Sequence, residues 1–198
     1  MHCSNSCRSR LVQATENQNR QRESGHLFRH FYQCGVMPEA NTNNLIQAIE
    51  QVKPSFNRLV LLVAPSGSGK TSLLMEICET QSCPLINVNL QLSQELLGIP
   101  KTKRPSKVDR IFGTLIEGAT GDLVVLDDLE VLFDPVLQLD PLRLLKGHSR
   151  NKTLVASWNG SFEDGLLTYA EPQHPEYKTY RDIEVPVVSI TNQPSASN

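Results

Sequence analysis

Residues Arg58–Met75 read RLVLLVAPSGSGKTSLLM and decide the fold of this 198-residue chain. The apolar run Leu59–Ala64 is typical of a buried strand, whereas the apolar spacing after Thr71 suits a helix. The residues between them follow the spacing small-x-x-x-x-Gly-Lys-Thr, which is the pattern of a P-loop. The stretch therefore predicts a strand, a loop that binds nucleotide phosphates, and a helix.

Each residue type in this loop serves phosphate chemistry. Gly67 and Gly69 can take a positive φ and let backbone N–H groups approach an anion, and the helix that follows adds its positive dipole end. Lys70 can reach the β- and γ-phosphates, and the Thr71 hydroxyl can ligate Mg²⁺. Ala64 stands where the pattern more often has glycine. The predicted nucleotide-binding residues are Ala64, Pro65, Ser66, Gly67, Ser68, Gly69, Lys70, Thr71 and Ser72.

A second motif follows at Leu123–Asp128, which reads LVVLDD. Four apolar residues predict a strand buried on both faces, and its carboxylates come at the carboxyl end, where ligands of open α/β sheets bind. This is a Walker B pattern, in which Asp127 holds Mg²⁺ together with Thr71. Asp128 is the candidate to orient and activate the attacking water. Glu130 is the alternative base, because in a continued strand it would share a face with Asp128.

Another strand is predicted at Asn151–Trp158. We expect it to lie between the P-loop strand and the Walker B strand, so that its end reaches the nucleotide site. A polar side chain there can sense the γ-phosphate, and Ser157 and Asn159 are both candidates. Ser157 as a plain strand terminus remains the alternative.

The other elements complete an α/β fold, a P-loop NTPase with a mainly parallel sheet flanked by helices and no substantial helical lid. In the helix around residue 144, Asp140 is expected as N-cap, Pro141 at the first position and Gly147 just past the end. Further helices are predicted at Asn44–Val52, Leu90–Leu97 and Val108–Glu117, and further strands at Leu85–Asn89, Leu166–Tyr169 and Val185–Ile190.

The chain ends differ in composition from this centre. Residues 1–25 are polar and predicted to be a disordered tail, and residues 191–198 form a second one. The P-loop NTPase domain is therefore placed at residues 26–190, beginning with a short helix at His26–Val36. Five cysteines without a C-x-x-C pair argue against a disulfide framework or a zinc site. No apolar run approaches the ~20 residues of a membrane span, so we expect a cytoplasmic protein without membrane contact.

The net charge of −2 gives no global reason to expect nucleic acid binding. The densest basic cluster is Lys101–Arg110, KTKRPSKVDR, with five cations in ten residues. It is a candidate DNA contact, and a solvated surface is the alternative.

Five segments together resemble the BrxF family of small P-loop proteins from bacteriophage-exclusion (BREX) defence systems. They are VLLVAPSGSGKT, PLINVNLQLSQELL, VVLDDLEVLFDP, LDPLRLLKGHSRNKTLVASWNG and LLTYAEPQHPEY. The resemblance covers roughly 44–190. It implies a cytosolic bacterial or archaeal protein that binds ATP and acts with other BREX proteins, among them a DNA methyltransferase and larger ATPases.

After the Ser157 strand the sequence offers no long helical lid, unlike full AAA+ ATPases. Closure of the site is then expected to need a homo-oligomer or a partner, with an arginine supplied in trans. Arg150 is the first candidate and Arg143 the second, with a routine surface pair as the alternative. The expected activity is that of a weak ATPase. A nucleotide-gated adaptor or a DNA-binding module with little hydrolysis is the competing hypothesis.

Overall fold

The computed structural model describes residues 39–190, so the predicted tails 1–25 and 191–198 and the helix His26–Val36 lie outside the described residues. The helices are α1 Glu39–Val52, α2 Lys70–Gln81, α3 Val88–Leu97, α4 Val108–Gly118 and α5 Pro141–His148, with 3-10 helices at Lys101–Lys103, Glu130–Phe133 and Pro135–Leu137. The strands are β1 Leu59–Ala64, β2 Leu85–Asn87, β3 Leu123–Asp127, β4 Thr153–Asn159, β5 Phe162–Glu163, β6 Leu166–Tyr169, β7 Lys178–Tyr180 and β8 Val187–Ser189. None of the helices in this range has the length and hydrophobicity that spanning a bilayer requires.

The main sheet is parallel and has the strand order β2-β3-β4-β1-β8. β4 lies between β1 and β3, as the sequence predicts. Every residue of β1 is buried, which is expected for a strand covered by helices on both faces. The register pairs Ala64 with Asn159 and Leu126 with Ala156, so the carboxyl ends of β1, β3 and β4 meet at one edge of the sheet.

Alternating side chains divide the core into two layers. On one face, α1 and α2 pack on the sheet through apolar residues that include Leu45, Ile49, Leu73 and Ile77. On the other face, α3, α4 and α5 bury residues that include Leu92, Phe112 and Leu145. The described residues thus form a helix–sheet–helix arrangement, which confirms the predicted fold class.

A small antiparallel sheet of β5, β6 and β7 follows β4. It contains the predicted strand Leu166–Tyr169, and Gly165 has a positive φ of 76° in the turn before that strand. Tyr169 stacks on Phe133, and Trp158 Nε1 donates to the Thr168 carbonyl at 2.7 Å. Between β4 and β8 the described chain has strands and turns instead of a helical lid.

Several element boundaries differ from prediction. α1 begins at Glu39 instead of Asn44, α3 begins at Val88 instead of Leu90, α4 ends at Gly118 instead of Glu117, and β4 is Thr153–Asn159 instead of Asn151–Trp158.

Three further differences have local reasons. β2 ends at Asn87 instead of Asn89, because the Asn87 side chain accepts from Leu90 N at 2.8 Å and caps α3. Gly147 was expected beyond α5 but lies inside it; the helix continues to His148, whose Nε2 lies 2.7 Å from Asp109 Oδ1. β8 is shorter than predicted and starts after Pro186.

The end of β4 allows a test of the packing between the two sheets. A Cβ added at Gly160 would lie 1.9 Å from the Thr168 carbonyl oxygen, so Gly160→Ala must push the small sheet away. We expect the free energy of unfolding to fall by about 1–3 kcal/mol. Urea denaturation followed by fluorescence of Trp158, the single tryptophan, measures it.

Gly118→Ala is the matched control, because nothing lies within 4 Å of its added Cβ. It should leave stability unchanged or raise it by up to about 1 kcal/mol, since alanine favours helix over glycine. Equal stability of the Gly160 variant and the wild type would contradict the close contact.

Candidate nucleotide-binding site

The loop between β1 and α2 has the backbone that phosphate binding requires. Gly67 and Gly69 have φ values of 76° and 87°, in the region that side chains disfavour. Gly69 stands directly before α2 without a side-chain cap, and α2 begins at Lys70, inside the P-loop pattern. The first N–H groups of the helix are therefore free of a side-chain cap at the end where anions bind.

Lys70 is turned back onto the start of the loop. Its Nζ donates to the Ala64 carbonyl at 2.9 Å and to the Pro65 carbonyl at 2.7 Å, and the residue is 7% exposed. Burial lowers the pKa of Lys70, and the negative charges of Asp127, Glu130 and Asp128 oppose that effect. The ammonium thus lies among carbonyl oxygens that phosphate oxygens can replace.

Thr71 and Asp127 connect the loop to the Walker B strand. The Thr71 hydroxyl donates to Asp127 Oδ2 at 2.7 Å, and Asp127 is buried at the end of β3. A hydroxyl and a carboxylate oxygen are hard ligands that suit Mg²⁺, which usually takes one or two protein oxygens together with phosphates and waters. The two residues predicted to hold Mg²⁺ therefore lie together and fit that ion.

Asp128 ends the strand with a positive φ of 52°, which aspartate tolerates better than most residues. Its Oδ2 accepts from Asn87 Nδ2 at 2.6 Å, and its carbonyl accepts from Asn89 N at 2.8 Å. Burial and the charge of Asp127 raise the pKa of Asp128, while Asn87 and Lys70 counteract the rise. Sequence reasoning missed Asn87, although an asparagine between a strand and a helix is a typical cap signal.

Glu130 reaches the site by a different route from the predicted one. The expectation that it shares a strand face with Asp128 is wrong, because the chain leaves the strand at Asp128 and Glu130 begins a 3-10 helix. The Asn159 side-chain amide nevertheless donates to Glu130 Oε1. Burial first, and then Asp128 and Asp127, raise the pKa of Glu130. Glu130 is thus half-buried close to the other two acids.

Of the two predicted sensors, Asn159 is the one whose hydrogen bond to an acid is observed. Ser157 is buried two residues earlier in β4, paired in register with Leu62. Its role as a sensor stays a prediction. The shared edge of β1, β3 and β4 places Asn159 level with the start of the loop at Ala64.

Arg150 and Arg143 do not contact the nucleotide site of their own chain. Arg150 precedes β4, at the opposite edge of the sheet, and a seven-residue strand spans about 20 Å. Its guanidinium lies 4.7 Å from the centre of the Phe56 ring, and its carbonyl accepts from Arg58 at 3.3 Å. Both arginines line one cleft with Lys146. Their supply to another subunit stays a prediction.

The basic segment Lys101–Arg110 follows α3 and extends into the first turn of α4, which begins at Val108. Lys101, Lys103, Lys107 and Arg110 are exposed, and Arg104 Nε donates to the Ile99 carbonyl at 3.0 Å. Among residues 39–190, none of these cations is in a salt bridge. These cations are therefore accessible to a partner, and the DNA contact stays a prediction.

No protein-family model and no curated protein matches the chain. Among solved structures, PCH-2 from C. elegans is 18% identical, with a TM-score of 0.44, over 81% of this chain and 44% of that one. AMPPCP-bound DnaA from Aquifex aeolicus is 14% identical, with a TM-score of 0.45, over 79% of this chain and 48% of that one. The chain spans less than half the length of each.

Loop, sheet order and Walker B contact together define the fold. It is a P-loop NTPase fold.

The raised pKa of Glu130 predicts a pH-dependent gain in stability when its charge is removed. A carboxyl whose folded pKa lies above its unfolded value binds protons more readily in the native state, so ionisation at higher pH destabilises the fold. Glu130→Gln should therefore raise the free energy of unfolding at pH 8, and the gain should fade toward pH 4.5. Urea denaturation at both values measures it.

Glutamine keeps an oxygen that can accept from Asn159, so the comparison isolates the charge. Glu117→Gln, an exposed glutamate on α4, is the matched control and should leave stability nearly unchanged at both pH values. A Glu130→Gln variant less stable than wild type at pH 8 would show that the burial cost does not dominate.

Proposed function

We propose that the chain is an ATP-binding, Mg²⁺-dependent P-loop NTPase. The observation that carries the proposal is the 2.7 Å hydrogen bond from Thr71 to Asp127, which joins the two motifs in one site. Lys70, buried beside it at the start of a glycine loop, supplies the cation that phosphates need.

The proposed reaction follows from these positions. Backbone N–H groups of the loop and the α2 N-terminus bind the phosphates, and Lys70 exchanges the Ala64 and Pro65 carbonyls for phosphate oxygens. Thr71 and Asp127 would hold Mg²⁺, and the ion would supply positive charge that neutralises the phosphates. Asp128 or Glu130 accepts a proton from the attacking water, and the water oxygen bonds to the γ-phosphorus. The bond from that phosphorus to the β-phosphate oxygen breaks in the same step.

The charge of the site favours slow turnover in an isolated chain. Asp127, Asp128 and Glu130 lie around one ammonium, and Lys70 is the one cation that lowers the pKa of Asp128 and Glu130 within the described residues. Beyond the Mg²⁺ that Thr71 and Asp127 would hold, stabilisation of the developing phosphate charge therefore calls for a further cation from the protein. An arginine supplied by another subunit or partner is worth orders of magnitude in such reactions.

We place this NTPase in a bacteriophage-exclusion system as a proposal. The resemblance of its five segments to the BrxF family supports this placement. A cytoplasmic location and other BREX proteins as partners are part of the same proposal. The residues of the site carry no information on that system.

A nucleotide-gated adaptor is the second candidate. It is favoured by the hydrogen bond that engages Asp128 with Asn87, and by the lack of a helical lid between β4 and β8. In this function ATP binding changes the conformation and assembly, and hydrolysis is negligible.

Lys70→Ala tests the binding proposal. Hydrogen bonds to charged groups contribute roughly 1.5–3 kcal/mol, so we expect ATP affinity to fall about 10- to 100-fold or more. Isothermal titration with ATP and Mg²⁺ measures it. Lys53→Ala, an exposed lysine, is the control and should bind like wild type.

Because Lys70 is buried, thermal unfolding without nucleotide must show that the variant is folded. A folded Lys70→Ala variant with unchanged ATP affinity would sink the proposal.

Turnover of the purified chain separates the two candidates. If the chain is an ATPase, Asp128→Asn or Glu130→Gln should reduce kcat by at least about 100-fold without a matching loss of ATP affinity, because removal of a general base costs about 10²–10⁴ in rate. The variant with the larger loss identifies the base. Turnover no higher than that of Lys70→Ala, with intact ATP binding, would favour the adaptor.

A further inference from the structure

A cavity of about 840 Å³ lies beside the first residues of the phosphate loop. Its lining is formed by Pro65 and Ser66 of the loop, by residues 159–161 at the end of β4, and by residues 168–175 and Tyr177 of the small sheet and its following turn. Lys70 Nζ donates to the carbonyl of Pro65, so the cavity begins next to the ammonium that would meet the β- and γ-phosphates. An occupant of this cavity would therefore lie next to the reacting end of the nucleotide.

The lining of this cavity combines aromatic rings and prolines with polar groups and one carboxylate. It includes Tyr169, Tyr177, three prolines, Glu171 and His174, and none of its residues is lysine or arginine. Glu176 adds a second carboxylate close by, since it stands between Pro175 and Tyr177, which both line the cavity. Aromatic rings with carboxylates suit a cation on an apolar stem, whereas phosphates need cations in the wall.

The described surface carries the complementary feature at the basic segment. Lys101, Lys103 and Lys107 are exposed and in no salt bridge within residues 39–190. Leu97, just before the segment, is 78% exposed, and Leu90 on the same helix is 54% exposed. Exposed leucines beside lysines match an apolar, anionic protein surface better than a phosphate backbone, which offers no apolar contact.

We propose that this cavity is the docking site for the segment Lys101–Arg110 of a second copy of the chain. The proposal rests on the proposed NTPase function for its consequence, since the docked cations would come next to a site with three acids around one ammonium. The site is then incomplete in a monomer. The docked segment would also contact Asn159, which lines the cavity and donates a hydrogen bond to Glu130.

Charge reversal on each surface, followed by mixing, tests the docking. The variant K101E/K103E/K107E makes the segment acidic, so that it repels the acidic residues at the cavity. The variant E171K/E176K makes the cavity basic, so that it repels the lysines of the segment. Sedimentation velocity of the full chain should show a dissociation constant at least about tenfold weaker for either variant alone, with and without ATP. An equimolar mixture should restore association to near the wild-type level. Added salt should weaken association in the wild type.

The variant E79K/E117K, which reverses two exposed acids outside the cavity, is the matched control and should associate like wild type. Failure of the mixture to recover association overturns the proposal, as does a wild type that stays monomeric at every concentration with and without ATP. A monomeric wild type whose binding to a DNA duplex is lost in K101E/K103E/K107E would assign the segment to nucleic acid instead.

This outcome is independent of nucleotide binding. Recovery of association in a chain that fails to bind ATP would leave the docking intact and remove the NTPase function. ATP binding by a strictly monomeric chain would leave nucleotide binding intact and remove the docking.

Discussion

The pairing of β4 with both β1 and β3 is the constraint on which the site depends. Because all three strands are parallel, their carboxyl ends reach the same edge, and the residues that end them come together from positions far apart in sequence. Ala64 begins the loop, Asp127 meets Thr71, and Asn159 meets Glu130 at that edge. A register shift of one residue would turn each of these side chains to the other face. The register is held because successive residues of each strand are buried alternately in one core layer and the other.

The site concentrates charge that the fold alone would not favour. Burial raises the pKa of both Asp128 and Glu130, and both lie near Asp127 with a single ammonium to offset them. Such an arrangement costs stability in the absence of a ligand, and it is typical of sites tuned for function. Each carboxyl whose pKa is raised also accepts a hydrogen bond from one side-chain amide: Asp128 from Asn87, and Glu130 from Asn159.

The sequence predicts the parts of the site that are local. The glycines at positive φ, the helix start at Lys70 and the Thr71–Asp127 contact follow from motifs whose spacing reflects phosphate chemistry. The parts set by the path of the chain between motifs are not predictable in this way. Glu130 was placed by strand alternation, which fails because Asp128 adopts a left-handed backbone and ends the strand. The cavity beside Pro65 depends on where the small sheet packs, and that is set by the stacking of Tyr169 on Phe133, residues 36 positions apart.

The two amides connect the acids to different parts of the fold. Asn87 caps α3 through its Oδ1 while its Nδ2 holds Asp128, so the position of α3 and the position of that carboxylate are linked through one side chain. Asn159 ends β4, lines the cavity and holds Glu130, so the small sheet is linked to the second carboxylate in the same manner. A ligand can shift such an equilibrium only by as much as it prefers one arrangement over the other. The hydrogen bonds of Asn87 and Asn159 are therefore the contacts through which α3 and the small sheet can favour or oppose a position of Asp128 or Glu130 in which the carboxylate is free to accept a proton.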